Sequence, residues 1–286
     1  MKVNKMLEDK IRGSLYCFAI GDAMGATTEF MNESDIKHKY GIVDDLIGGG
    51  WLNTIPGEVT DDTQMTICVI DAIMNCDGKI DLFEEICASN FIEWYNSNPK
   101  DVGGQCSKAI NILKNGKRIK PNNGLGNGSL MRALPCALYG NINFNVVQGK
   151  LTHPDPECKI FVKMYHDEIN NLLYDSCIER DFKLSIPTGY ALNTFSNSMY
   201  WLTNTSSLEE AIVGAVNHGG DSDTIAAITG GLVGAKYGYS NIPKKWVDKL
   251  DNDVKIKFEK FIFFIKNYLQ YSKKNIQYPY KIIRRM

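Results

Sequence analysis

Residues 60–76 read Thr60-Asp61-Asp62-Thr63-Gln64-Met65-Thr66-Ile67-Cys68-Val69-Ile70-Asp71-Ala72-Ile73-Met74-Asn75-Cys76. Met65, Val69, Ala72, Ile73 and Cys76 fall on one stripe at helical spacing, which predicts a helix over residues 65–76. Thr60, Asp61 and Asp62 stand just before it. That is the pattern of an N-cap followed by first-turn acids, whose oxygens accept orphan N–H groups and complement the helix dipole. The same periodicity predicts helices over residues 6–19, 80–95, 106–113, 157–177 and 208–216. A last long helix is marked by Val254, Phe258, Phe261, Ile262, Ile265 and Leu269. No apolar/polar alternation of period two survives for six residues, so no strand is expected. With no Pro/Ser-rich linker, internal repeat or low-complexity segment, residues 1–286 read as one all-α domain ending in a basic tail over 273–286.

Composition narrows the function classes. Lys and Arg total 32 against 33 Asp and Glu, a formal net charge of −1, so no global field favours nucleic acid or an anionic membrane. The run 225–235 is broken by glycines and no segment reaches the roughly 18 apolar residues of a membrane span. The first residues, MKVNKMLEDKIRG, lack a signal-peptide core, and a cytoplasmic location is expected. Eight cysteines are scattered without a Cys-x-x-Cys pair and read as reduced thiols. Four histidines without a zinc-binding pattern leave oxygen as the only ligand type for a metal. Lys273, Lys274, Lys281, Arg284 and Arg285 in the tail read as a solvated end.

Glycine, aspartate and threonine concentrate in four places. The first runs from Gly21 to Glu29, directly after the first helix. The second is Gly48-Gly49-Gly50-Trp51 leading into Pro56-Gly57-Glu58-Val59-Thr60-Asp61-Asp62-Thr63. The third spans Gly124, Gly126, Asn127, Gly128, Ser129, Met131 and Arg132. The fourth is Gly219-Gly220-Asp221-Ser222-Asp223-Thr224, opening a further helix. Each alone reads as a capped turn. The Asp221-x-Asp223 pair resembles the aspartates of aspartyl-phosphate phosphatases, but no strand precedes it. Asp61-Asp62 resembles the start of a prenyl-synthase magnesium motif, but Met65 stands where its third acid belongs. Together, two helix starts with paired carboxylates, each with a threonine, plus Glu29, form a hard-oxygen donor set suited to Mg²⁺, Mn²⁺ or Ca²⁺. If these segments converge, cations are needed to hold the mutually repelling acids.

The combination Gly21-Asp22-x-x-Gly25-x-x-x-Glu29, Pro56-Gly57-Glu58-x-Thr60-Asp61-Asp62-Thr63, Gly126-Asn127-Gly128-Ser129-x-Met131-Arg132, Thr152-His153-Pro154 and Gly219-Gly220-Asp221-x-Asp223-Thr224 resembles the ADP-ribosylglycohydrolases. The motifs occur in that family's order, closing with Ile242-Pro243-x-x-Trp246. The resemblance implies an orthogonal all-α bundle with two divalent cations, Mg²⁺ or Mn²⁺. It assigns Thr60, Asp61, Asp62 and Asp223 to one cation, and Asp221, Asp223 and Thr224 to the other, with Glu29 ligating it or the attacking water. It implies that Gly126, Asn127, Gly128, Ser129 and Met131 line an ADP-ribose site, that His153 sits on its adenine or phosphate side, and that Gly219 and Gly220 bend over the ribose. Glu29, Asp61, Asp62, Asp221 and Asp223 are the expected catalytic acids. Asp101, followed by Val102 and Gly103, stands where arginine-specific members carry Asp-x-Gly, so a guanidinium partner is expected. The implied activity is removal of ADP-ribose from modified protein side chains, with neither membrane nor long nucleic acid as a partner. The alternatives are hydrolysis of serine-linked, O-acetyl or nucleic-acid-linked ADP-ribose, and a non-catalytic ADP-ribose-binding relative.

Overall fold

The computed structural model describes residues 5–176 and 181–275. Its frame is a pair of antiparallel helices, α1 (Lys5–Gly25) and α11 (Ser222–Tyr237), in direct backbone contact. Gly13, Cys17, Gly21 and Gly25 recur every fourth residue on one; Ser222, Ala226, Gly230 and Gly234 do so on the other. A Cβ at Gly21 would lie 2.1 Å from the Ala226 carbonyl oxygen, one at Gly230 2.1 Å from that of Cys17, and one at Gly234 2.3 Å from that of Gly13. Glycine costs about 1 kcal/mol in a helix interior, yet only its missing side chain permits this approach. Ser14 Oγ donates to Gly231 O at 2.7 Å and Ser222 Oγ to Gly25 O at 2.9 Å, adding bonds between the helices. The register brings the C-terminal end of α1 to the N-terminal end of α11.

Around this pair stand α2 (Glu33–Tyr40), α3 (Asp61–Asn75), α4 (Ile80–Asn96), α5 (Gly104–Leu113), α6 (Leu134–Tyr139), α7 (Ile142–Lys150), α8 (Pro156–Leu173), α9 (Ala191–Thr203), α10 (Leu208–His218), α12 (Lys244–Lys249) and α13 (Asn252–Asn275). α9 and α10 pack on α11, and α13 packs on α1 and α3. The core holds Leu15, Phe18 and Ile20 of α1, Ile225, Ile228 and Leu232 of α11, and Phe258, Phe261 and Ile265 of α13, all completely buried. Trp246 of the Ile242-Pro243-x-x-Trp246 segment is also fully buried, its indole N–H donating to Asp44 O at 3.0 Å. Among the described residues the only extended pairings are the isolated bridges Gly49–Thr54 and Gly126–Tyr190, so the fold is all-α as expected.

Two sequence expectations change. Gly21, Asp22 and Gly25, read as a loop after a helix over 6–19, lie inside α1, because the glycines serve helix packing rather than turning. The helix expected over 157–177 ends at Leu173, where Tyr174 caps it and Asp175 turns into the left-handed region at φ 57°. Seven cysteines are free thiols, and Cys177 lies outside the described residues. Of the basic tail, residues 276–286 lie outside them too. No helix among the described residues is long and apolar enough to cross a membrane.

Candidate active site

Four chain segments deliver the acids to one place. Asp22, buried in the last turns of α1, accepts the backbone N–H of Thr60 at 3.0 Å and of Thr63 at 3.0 Å. It thus caps the start of α3 from another helix. Thr60 is the N-cap of α3, its Oγ1 accepting from Asp62 N at 3.4 Å, and Asp61 and Asp62 form the first turn. Asp61 Oδ2 accepts Gly103 N at 3.2 Å. From α11, Thr224 Oγ1 donates to Asp62 Oδ2 at 3.2 Å, while Asp221 Oδ2 accepts Asn127 Nδ2 at 2.6 Å. Glu29 follows α1, and the Trp51 indole N–H donates to its Oε2 at 2.5 Å.

Glu29, Asp61, Asp62, Asp221, Asp223 and Thr224 line a cleft of about 250 Å³ with Asp101, Gly103, Gly126, Asn127, Gly128, Met131 and His153. Carboxylate oxygens of Glu29, Asp101 and Asp223 lie within 4.8 Å of one another. Asp101, placed by sequence at a guanidinium site, therefore also stands within the acid cluster. Thr60, the N-cap of α3 next to Asp61, is not itself among the lining residues. Ser129 is buried beneath the third motif with its Oγ unpartnered and does not line the cleft. Gly219 and Gly220 do not line it either. Both adopt left-handed φ, 75° and 65°, and pack on the Met31 and Pro187 carbonyls, where a Cβ would meet those oxygens at 2.2 and 1.9 Å. Their tight turn aims Asp221 into the cleft.

Sequence reading missed Asp22 as a positioning group, the Trp51 bond to Glu29, and Phe30, Gln105, Cys106 and Gly189 in the lining. Asp22 carried a signal in its fixed place within the first motif. Gly189 carried none, because it reaches the site through the antiparallel bridge beside Gly126.

Burial dominates the electrostatics. It raises Asp62 and Asp223 well above the usual carboxylate range, with repulsion from neighbouring acids adding to it. Burial pushes Glu29 up to about 8, opposed by the Trp51 bond, and Asp61 up to about 8, with Asp101 adding repulsion. Asp22 and Asp221 rise by burial to about 6, held back by the Thr60 and Thr63 bonds and by Asn127 respectively. Among the described residues, the cleft lining contains no lysine or arginine. Its imidazole, His153, is kept neutral by burial and by nearby Arg132, with its pKa pushed down to about 3. Asp62 Oδ1 is buried without a hydrogen-bond partner. An unpartnered buried carboxylate oxygen, within an all-oxygen donor set that has no lysine or arginine beside it among the described residues, fits divalent cations of the Mg²⁺ or Mn²⁺ kind.

The model of the ADP-ribosylglycohydrolase family matches residues 4–171 and 162–271. The chain is 33% identical over 274 residues to the ADP-ribosyl-[dinitrogen reductase] glycohydrolase of Rhodospirillum rubrum, covering 87% of this chain and 92% of that one. It is 30% identical over 285 residues to the ADP-ribosylarginine hydrolase Tri1 of Serratia proteamaculans (strain 568), covering 85% and 75%. Among solved structures, an ADP-ribosylglycohydrolase-related protein complex superposes with a TM-score of 0.76 at 22% identity, over 92% of this chain and 99% of that one, and shares the fold. With the acids of four segments meeting in one cleft and the family match running from α1 into α13, the chain belongs to the ADP-ribosylglycohydrolase family and is a glycosidic-bond hydrolase.

Proposed function

We propose that this chain hydrolyses the bond between ADP-ribose and a modified protein side chain, arginine above all, with two divalent cations, Mg²⁺ or Mn²⁺, in the acid cleft. The observation that carries the reading is the convergence of Asp61, Asp62, Asp221, Asp223, Glu29 and Asp101 on one cavity, with Asp62 Oδ1 left unpartnered. Thr60, Asp61, Asp62 and Asp223 would hold one cation, and Asp221, Asp223, Thr224 and Glu29 the other. When bound, such cations supply Lewis acidity that acidifies water and orients hydroxyl groups. The chain's own residues do the rest. Cleavage at the anomeric carbon builds oxocarbenium character on the ribose, and the surrounding carboxylates stabilise that positive charge. Gly126, Asn127, Gly128 and Met131 form the floor on which ADP-ribose rests, close to the acids because glycine lets the backbone approach. The two named relatives, one acting on ADP-ribosyl-dinitrogen reductase and one on ADP-ribosylarginine, support a protein-linked conjugate as substrate.

Asp101 supports arginine as the linkage, since a half-buried carboxylate in the cleft lining can pair with a guanidinium. Its grouping with Glu29 and Asp223 favours a second role as a cation ligand. A panel of arginine-linked, serine-linked and O-acetyl ADP-ribose separates the two. Wild-type protein is expected to release free ADP-ribose from the arginine conjugate fastest, and Asp101→Ala to lose that activity far more than the others. Equal loss on all three conjugates makes Asp101 a ligand and removes the specificity argument; absence of release from every conjugate contradicts the proposed activity.

A further inference from the structure

The third motif and the Thr152-His153 segment are joined by one buried cation. Arg132 is fully buried, and its hydrogen bonds go to neutral acceptors. Nε donates to Gln148 Oε1 at 2.7 Å, Nη1 to Gly128 O, and Nη2 to Gln148 O at 3.0 Å and Thr152 Oγ1 at 2.6 Å. Its guanidinium carbon stands 4.6 Å from the centre of the Phe91 ring. Thr152 Oγ1 in turn lies 2.8 Å from His153 Nδ1.

The direction of that last bond follows from the first. A short bond from a guanidinium occupies one lone pair of Oγ1 and polarises the hydroxyl, making it a stronger donor and a poorer acceptor. The hydroxyl has two acceptors in reach, His153 Nδ1 and the Cys106 thiol, and because the imidazole nitrogen is much the stronger acceptor, the Thr152 proton goes to Nδ1. A neutral imidazole that accepts at Nδ1 carries its own proton on Nε2. Nε2 faces the glycine floor of the cleft: a Cβ at Gly126 would lie 3.3 Å from it and one at Gly128 3.2 Å. Among the described residues, no hydrogen bond occupies it. No lysine or arginine lines the cleft among the described residues, and His153 offers an electron-rich ligand a fixed neutral donor on this wall.

We propose that Arg132 and Thr152 are positioning residues that lock His153 as the Nε2–H tautomer, giving the cleft a fixed hydrogen-bond donor for an acceptor atom of bound ADP-ribose. The ligand rests on the function proposed above; the tautomer does not. The test is the ¹⁵N spectrum of the imidazole rings in the full-length protein, with His153 identified among the four histidines by its loss in His153→Gln. The wild-type ring is expected to show a protonated Nε2 and an unprotonated, hydrogen-bonded Nδ1. Thr152→Val should move proton population onto Nδ1 and weaken ADP-ribose binding by about tenfold, the worth of one hydrogen bond, and Thr152→Ser should restore both. A wild-type Nδ1–H ring or imidazolium, or a Thr152→Val spectrum unchanged from wild type, overturns the relay. If Thr152→Val does not fold, the wild-type and Thr152→Ser spectra decide the tautomer. Adding ADP-ribose should shift the Nε2–H signal. A tautomer as assigned with no shift on saturation overturns the ligand contact and leaves the relay standing.

Discussion

Asp62 is held by Thr224 on one oxygen and left unpartnered on the other, and Asp223 of α11, in the same cleft lining, repels it. Asp62→Asn and Asp223→Asn keep size and packing but remove a charge from the proposed cation site. Each should lower turnover by roughly a hundred- to a thousandfold or more while leaving helical circular dichroism unchanged; near-wild-type turnover in either rules out its assignment as a ligand. Asp22 acts one step back, since its two bonds to backbone N–H groups set the pose of Thr60, Asp61 and Asp62. Asp22→Asn should weaken cation affinity by roughly 10- to 100-fold without touching a ligand, measurable by calorimetric titration with Mn²⁺. Unaltered affinity would show that α3 holds its own start. The acids of this site were legible because paired carboxylates at two helix starts exceed what capping needs. The roles of Gly219, Gly220 and Ser129 were not. A positive-φ turn aiming Asp221 and a ligand-facing glycine look the same in sequence.

Helices with one wet face announced themselves: α3, α4, α5, α10 and α13 fall within a few residues of their expected positions. The central helix α11 has no such stripe. Every residue from Ser222 to Ala235 is buried, so its apolar pattern has no period to detect. Its glycines read as breaks in an apolar run, whereas in the fold they admit the α1 backbone. Short elements such as α2, α6 and α12 carry too few turns for periodicity to register. The packing predicts that Gly21→Ala, whose Cβ would meet the Ala226 carbonyl, destabilises the protein by about 1–3 kcal/mol or more. It should also lower cation affinity, because Asp22 and Asp223 flank that contact. Urea denaturation checks the first effect, and an unchanged midpoint would mean that the helix pair relaxes freely.

At the scale of the whole molecule, a near-neutral chain concentrates seven acids, Asp22, Glu29, Asp61, Asp62, Asp101, Asp221 and Asp223, around one cleft. Without cations, Asp22 and Asp221 ionise near 6 in the fold, well above a free aspartate, and Glu29 and Asp61 near 8. The folded state therefore binds more protons than the unfolded chain between about pH 4 and pH 8, and its stability falls as pH rises through that window. Divalent cations compete with those protons, so the gain in Tm on adding Mn²⁺ in excess over EDTA should be larger near pH 8 than near pH 5. A cation-free Tm that stays flat or rises over this range contradicts the electrostatic account. The most direct test of the central claim is turnover by the purified chain, stripped of metal by EDTA, dialysed and then reconstituted with Mg²⁺ or Mn²⁺, on a protein carrying ADP-ribosylarginine. Release of free ADP-ribose should stop on stripping and return on reconstitution. Release that continues undiminished after complete demetallation would contradict it.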